Sequence, residues 1–169
     1  MAKTLLFPQD LVELAERVIA ENTAAGRKVA LAESCTGGLV CAALTEIPGS
    51  SAVLDRGFVT YSNEAKQELL GVQSDILEAF GAVSPATAWA MAQGALKNSN
   101  ADVAVAVSGI AGPDGGTEMK PVGTVVFALA IRGDEEVNAE QKLIDGANRA
   151  EIRHQAALFA LEMLLLGEG

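Results

Sequence analysis

The 169-residue sequence has one histidine and two cysteines, and each scarcity removes a class of chemistry. A single histidine cannot build a multi-histidine metal centre, and Cys35 and Cys41, six positions apart, match no CxxC zinc spacing. No metal is expected. Two cysteines are too few for a disulfide framework, which makes a reducing cytoplasm the expected compartment. Basic residues are scarce as well: 12 Lys and Arg against 22 Asp and Glu leave a formal charge of −10. Nucleic acids and anionic membranes are bound through basic surface, so neither is expected as a partner. The apolar run in Met1 to Asp10 is too short for a signal peptide, and no stretch reaches the roughly 18 apolar residues of a spanning helix. Aromatics number only seven against thirty alanines, which favours close packing of helices on a sheet over a β-barrel.

What is present suffices for one core. Half the residues are hydrophobic and a fifth charged, and the length predicts a single domain over residues 1–169. Helical spacing of apolar residues predicts helices over 9–25, 36–46, 63–70, 74–80, 85–97 and 148–166. Ser84-Pro85 is a hydroxyl cap followed by proline at the first helical position. Short apolar runs predict strands at 28–32, 52–61, 102–107, 122–131 and 137–144, with Gly57 marking a bend or bulge. The run DVAVAV (102–107) reads as a strand buried on both faces, as parallel sheets require. The last two strands form a hairpin across Arg132-Gly133-Asp134. The alternation predicts an α/β fold, a three-layer α/β/α sandwich around a mixed, mostly parallel sheet. The Ala/Leu-rich stretch Ala156 to Leu166 points to a homodimer or higher homo-oligomer.

Three loops, each following a strand, carry candidate chemistry. In Glu33-Ser34-Cys35-Thr36-Gly37-Gly38 a strand end runs into hydroxyls, two glycines and a helix start. Backbone N–H groups in such a turn bind anions or serve as an oxyanion hole; equally, the hydroxyls simply cap the helix. Glu33 either orients the site or ends the strand. Next, Tyr61 ends a strand and Lys66 lies one turn into the following helix. A lysine there is a solvated charge, or, if desolvated, an amine able to accept a proton. The third loop holds Ser108, Gly109, Ile110, Ala111, Gly112, Gly115 and Gly116, whose main-chain donors suit a phosphate or ribose. Arg149 and Arg153, one helical turn apart, either pair with acidic residues or clamp an anion. His154 reads as structural.

With AESCTGG (32–38), TYSNEAK (60–66), SGIAGPDGG (108–116), PVGTV (121–125) and the Gly146, Arg149, Ile152, Arg153 run in place, the sequence resembles the CinA carboxy-terminal domain family, the nicotinamide-nucleotide amidohydrolases. The resemblance covers essentially the whole chain. It implies hydrolysis of the carboxamide of nicotinamide mononucleotide to nicotinate mononucleotide and ammonia, without metal or cofactor, in pyridine nucleotide recycling. The family's serine nucleophile falls on Ser34 and its partner lysine on Lys66, with Tyr61 as a nearby hydroxyl. Glu33, Cys35, Thr36, Gly37, Gly38, the glycine-loop residues and Arg149 would lie against the substrate.

A serine–lysine pair suits a chain with one histidine, since it supplies nucleophile and proton carrier alone. Cys35 competes as nucleophile, because a helix start lowers a thiol pKa. Two other functions remain open at this point. One is a non-catalytic domain that binds a nucleotide or a protein, linked to competence or DNA-damage responses. The other is an amidase for a different small amide.

Overall fold

In the computed structural model, which describes residues 4–167, five strands form one sheet in the order β2-β1-β3-β4-β5. The strands are β1 (Val29–Glu33), β2 (Leu54–Val59), β3 (Val103–Gly109), β4 (Thr124–Ile131) and β5 (Ala139–Leu143). β1 pairs parallel with β2 and β3, and β4 pairs antiparallel with β3 and β5. Four strands thus point one way and β4 runs against them. The helices are α1 (Gln9–Ala25), α2 (Leu39–Thr45), α3 (Asn63–Leu70), α4 (Ser74–Phe80), α5 (Pro85–Lys97) and α6 (Arg149–Glu162).

Residue size on the central strands decides which helices lie where. Val29 and Leu31 of β1 and Val103, Val105 and Val107 of β3 face the layer of α1, α2 and α6. Their alternating neighbours Ala30, Ala32, Ala104 and Ala106 face α5, whose own inward residues include Ala88, Ala92 and Ala95. Alanine meeting alanine lets that helix approach the sheet closely. Gly94 does the same between helices: a Cβ there would run into the Leu70 carbonyl at the end of α3. The result is a three-layer α/β/α sandwich, with burial of a valine or leucine contributing about 1.5–3 kcal/mol each.

β1 is the switch strand. The chain leaves it by α2 on one face to reach β2, then crosses by α3, α4 and α5 on the opposite face to reach β3 on its other side. Open α/β sheets bind ligands at the carboxyl ends of strands flanking such a point. Register makes the location specific: Glu33 pairs with both Val59 and Val107, so Ser34, Thr60 and Ser108 follow in one row.

Differences from the sequence expectations lie at element ends. The second helix begins at Leu39 rather than residue 36, because Gly37 and Gly38 adopt left-handed φ of 58° and 99° and hold the chain in a turn. The second strand begins at Leu54 after a 3-10 turn over Ser50–Ala52. The register shift that bends this pair skips Asp55, while Gly57 serves close packing instead, since a Cβ there would strike Cys41 Sγ. β5 starts at Ala139, and Val137 is exposed. The apolar stretch that pointed to an oligomer is largely consumed internally: Ala156, Ala157, Ala160, Leu161 and Leu164 are buried.

Candidate active site

The row at the strand ends opens into a cavity of about 230 Å³ lined by Ser34, Cys35, Tyr61, Lys66, Ser108, Gly109, Ala111 and Arg149. Ala82 and Val83, from the connection between α4 and α5, complete it. Those two were missed from sequence, where only Gly81 ahead of the Ser84 cap hinted that this connection is a shaped turn. Of the other sequence candidates, Glu33, Thr36, Gly37, Gly38, Ile110, Gly112, Gly115 and Gly116 do not line the cavity.

Lys66 reaches the cavity because helical side chains lean toward the helix start. Ser62 caps α3, its Oγ accepting from the Ala65 N–H at 3.0 Å, and this places Lys66 one turn in. The lysine is only 1% exposed. Its Nζ donates to the Thr60 carbonyl at 2.8 Å and the Tyr61 carbonyl at 3.1 Å, and lies 3.1 Å from Ser34 Oγ. A neutral amine has two N–H groups and one lone pair. With both hydrogens on the carbonyls, the lone pair is left for the Ser34 hydroxyl proton. Once protonated, the ammonium has three donors for the same three oxygens. Both protonation states are therefore accommodated without rearrangement. Among the described residues no carboxylate bonds to Nζ, and desolvation lowers the lysine pKa below its ordinary 10.5.

Glu33 works one step back. Its buried carboxylate accepts from Thr36 Oγ1 at 2.7 Å and from the backbone N–H groups of Val40 at 2.9 Å and Cys41 at 3.2 Å. It thus caps α2 from the end of β1 and pins the turn that carries Ser34. Arg153 braces the same turn from α6, donating to the carbonyls of Cys35 at 3.0 Å and Thr36 at 3.2 Å. Within the turn the Gly37 N–H goes to the Ser34 carbonyl and the Leu39 N–H to the Thr36 carbonyl. Among the described residues no backbone carbonyl takes the N–H groups of Cys35, Thr36 or Gly38.

Cys35 departs from the sequence reasoning about its thiol. Burial, with the Glu33 carboxylate adding to it, pushes the pKa up to about 11 rather than down. The short α2, already capped by Glu33, supplies too little positive potential to offset desolvation. Burial raises the Cys41 thiol as well.

At the lip, Arg149 donates to the Gly112 carbonyl at 2.7 Å and to the Tyr61 hydroxyl oxygen at 3.2 Å. It ties the glycine loop to the end of β2. His154 lies 2.8 Å from Asp10 and is not among the residues lining the cavity. Among the described residues no group of three His, Cys, Asp or Glu side chains could hold a metal ion. Nor is any helix long and apolar enough to cross a membrane.

The model of the CinA C-terminal domain matches residues 11–166. The chain belongs to the CinA C-terminal domain family. Two of its relatives differ in length. The nicotinamide-nucleotide amidohydrolase PncC of Enterobacter agglomerans is 52% identical over 92% of this chain and 93% of its own length. The putative competence-damage inducible protein of Symbiobacterium thermophilum is 52% identical over 92% of this chain, which spans only 37% of that longer relative. Among solved structures, the competence/damage inducible protein CihA from Agrobacterium tumefaciens superposes with a TM-score of 0.91. It is 53% identical, covering 95% of this chain and 97% of that one.

Proposed function

We propose that the chain is a nicotinamide-nucleotide amidohydrolase, converting the carboxamide of nicotinamide mononucleotide to a carboxylate with release of ammonia. The substrate reading is supported by the amidohydrolase relatives that match over 92% of this chain and 93% of their own length at about half identity. The mechanism is supported by one observation above the rest: a buried lysine with no carboxylate partner among the described residues, 3.1 Å from a serine at the head of a cavity.

In this scheme the Lys66 lone pair takes the Ser34 proton as Oγ attacks the amide carbon. The carbonyl oxygen becomes an oxyanion, held by the N–H groups of Cys35, Thr36 or Gly38 in the turn. As the tetrahedral species collapses, the carbon–nitrogen bond breaks and the Lys66 ammonium returns its proton to the departing ammonia. Water, deprotonated by the same amine, then cleaves the Ser34 ester and frees the acid. In this reading Arg149, which lines the cavity, meets the substrate phosphate, whereas Arg153 does not line the cavity and braces the turn behind it. The deciding measurement is ammonia release from nicotinamide mononucleotide. Turnover is expected with the native chain, and none from the folded protein would overturn the reading.

A further inference from the structure

Counting protons in the cavity separates its donors from its acceptors. Ser108 is buried on β3, 1% exposed, and its Oγ lies 2.9 Å from the Ala82 carbonyl. A carbonyl only accepts, so the one hydroxyl proton of Ser108 is committed to it. That carbonyl is itself held in place by its neighbours. Phe80 O accepts from Lys120 Nζ at 2.8 Å, and Gly81 O accepts from Ser84 Oγ at 3.0 Å and Thr87 Oγ1 at 2.6 Å. Three consecutive carbonyls are thus tied down from three directions. What Ser108 offers the cavity is lone pairs alone.

Tyr61 is the reverse case. Arg149 can only donate, so the phenolic oxygen accepts from it, and among the described residues no acceptor takes the Tyr61 proton. One wall of the cavity is an acceptor and its lip is a pair of donors, with Ser34 also lining it. A primary carboxamide has the matching pattern, an NH₂ that donates and a carbonyl that accepts. The carboxylate made by hydrolysis has acceptors on both sides.

We propose that Ser108 is a specificity-determining residue: its Oγ accepts an N–H of the substrate carboxamide and rejects the carboxylate of the product. This rests on the amidohydrolase reading above and names what that site selects. Holding one N–H at Ser108 also turns the amide nitrogen toward a fixed position, so the leaving group is oriented before the bond breaks. Buried acceptors discriminate strongly against ligands that bring a second acceptor, because the mismatch leaves both unpaired.

Calorimetry tests this on the Ser34→Ala variant, which cannot turn the substrate over. Nicotinamide mononucleotide and nicotinate mononucleotide are titrated separately into Ser34→Ala and into Ser34→Ala/Ser108→Ala. The ratio of the two dissociation constants is expected to shift toward the acid by about tenfold when Ser108 is truncated. Ser108→Cys, which fills the same space with a weak acceptor, should shift it in the same direction by less. It also keeps the test intact should the alanine variant not fold. Equal changes in affinity for both ligands, or no change, would overturn the assignment, since a merely structural serine moves both alike. If the native chain releases no ammonia but the ratio shifts as expected, the hydrolase reading falls and the recognition stands. If neither ligand binds, both fall.

Discussion

At the scale of single residues, the proposed mechanism depends on Lys66, whose Nζ bonds to no carboxylate among the described residues. Desolvation lowers its pKa, so the neutral base is populated at a lower pH than in a free lysine. The expected kcat/KM profile rises with pH on a limb whose midpoint lies below 10.5. Lys66→Met should remove the limb along with about a thousandfold or more of the activity. Stability carries the same signature. Between the lowered pKa and 10.5 the unfolded chain binds the proton that the folded chain does not, so the native protein gains stability relative to Lys66→Met as pH climbs through that window. Thermal unfolding of the pair across pH would show the opposite trend if Lys66 were held as an ammonium throughout. The neighbouring pair of nucleophiles gives a second expectation. Ser34→Ala should lose about a thousandfold or more, while Cys35→Ala stays within several-fold of native turnover. With its thiol pushed up to about 11, Cys35 should also alkylate slowly with iodoacetamide near pH 8.

At the scale of elements, the short helix α2 owes its start to a carboxylate from outside it. Glu33 supplies acceptors for Thr36, Val40 and Cys41, and the turn between them carries Ser34. Glu33→Gln leaves the shape but sets an amide donor among those groups. A loss of about 1–3 kcal/mol in urea unfolding is expected, together with a fall in kcat larger than any change in KM. Unchanged kcat would mean that the turn holds its geometry without the cap. The same element shows what was legible in sequence. The serine, the two glycines and the strand before them announced a strand-to-helix turn, and Val/Ala alternation announced the buried strands. The helix start was misplaced by three residues because periodicity does not record that Gly37 and Gly38 sit at left-handed φ. Glu33 could be seen beside Ser34, but its partners Val40 and Cys41 become neighbours only once α2 folds back on β1. Ala82 and Val83 were invisible for a related reason: they carry no chemistry of their own, and only the packing of α5 against the sheet brings them to the cavity.

For the whole molecule, a formal charge of −10 must be reconciled with a negatively charged ligand. Long-range repulsion slows encounter, whereas Arg149 and the backbone donors act only at contact. Added salt screens the repulsion, so kcat/KM should rise modestly between about 10 mM and 150 mM ionic strength, where the Debye length shrinks from about 30 Å to about 8 Å. A steep fall over that range would point instead to a local positive field strong enough to steer the substrate in.

The bracing of the Ser34 turn by Arg153 also sets an order of events in time. Cys35 and Arg153 are 118 positions apart, and Arg149, which ties the glycine loop to Tyr61, lies on the same helix. A ribosome makes Ser34 and Lys66 long before the residues of α6. Until α6 docks, the turn that carries Ser34 is unbraced and the glycine loop untethered. The same helix brings Ile152, Ala156 and Leu161 into the core, so the bracing of the turn and the completion of the core arrive together.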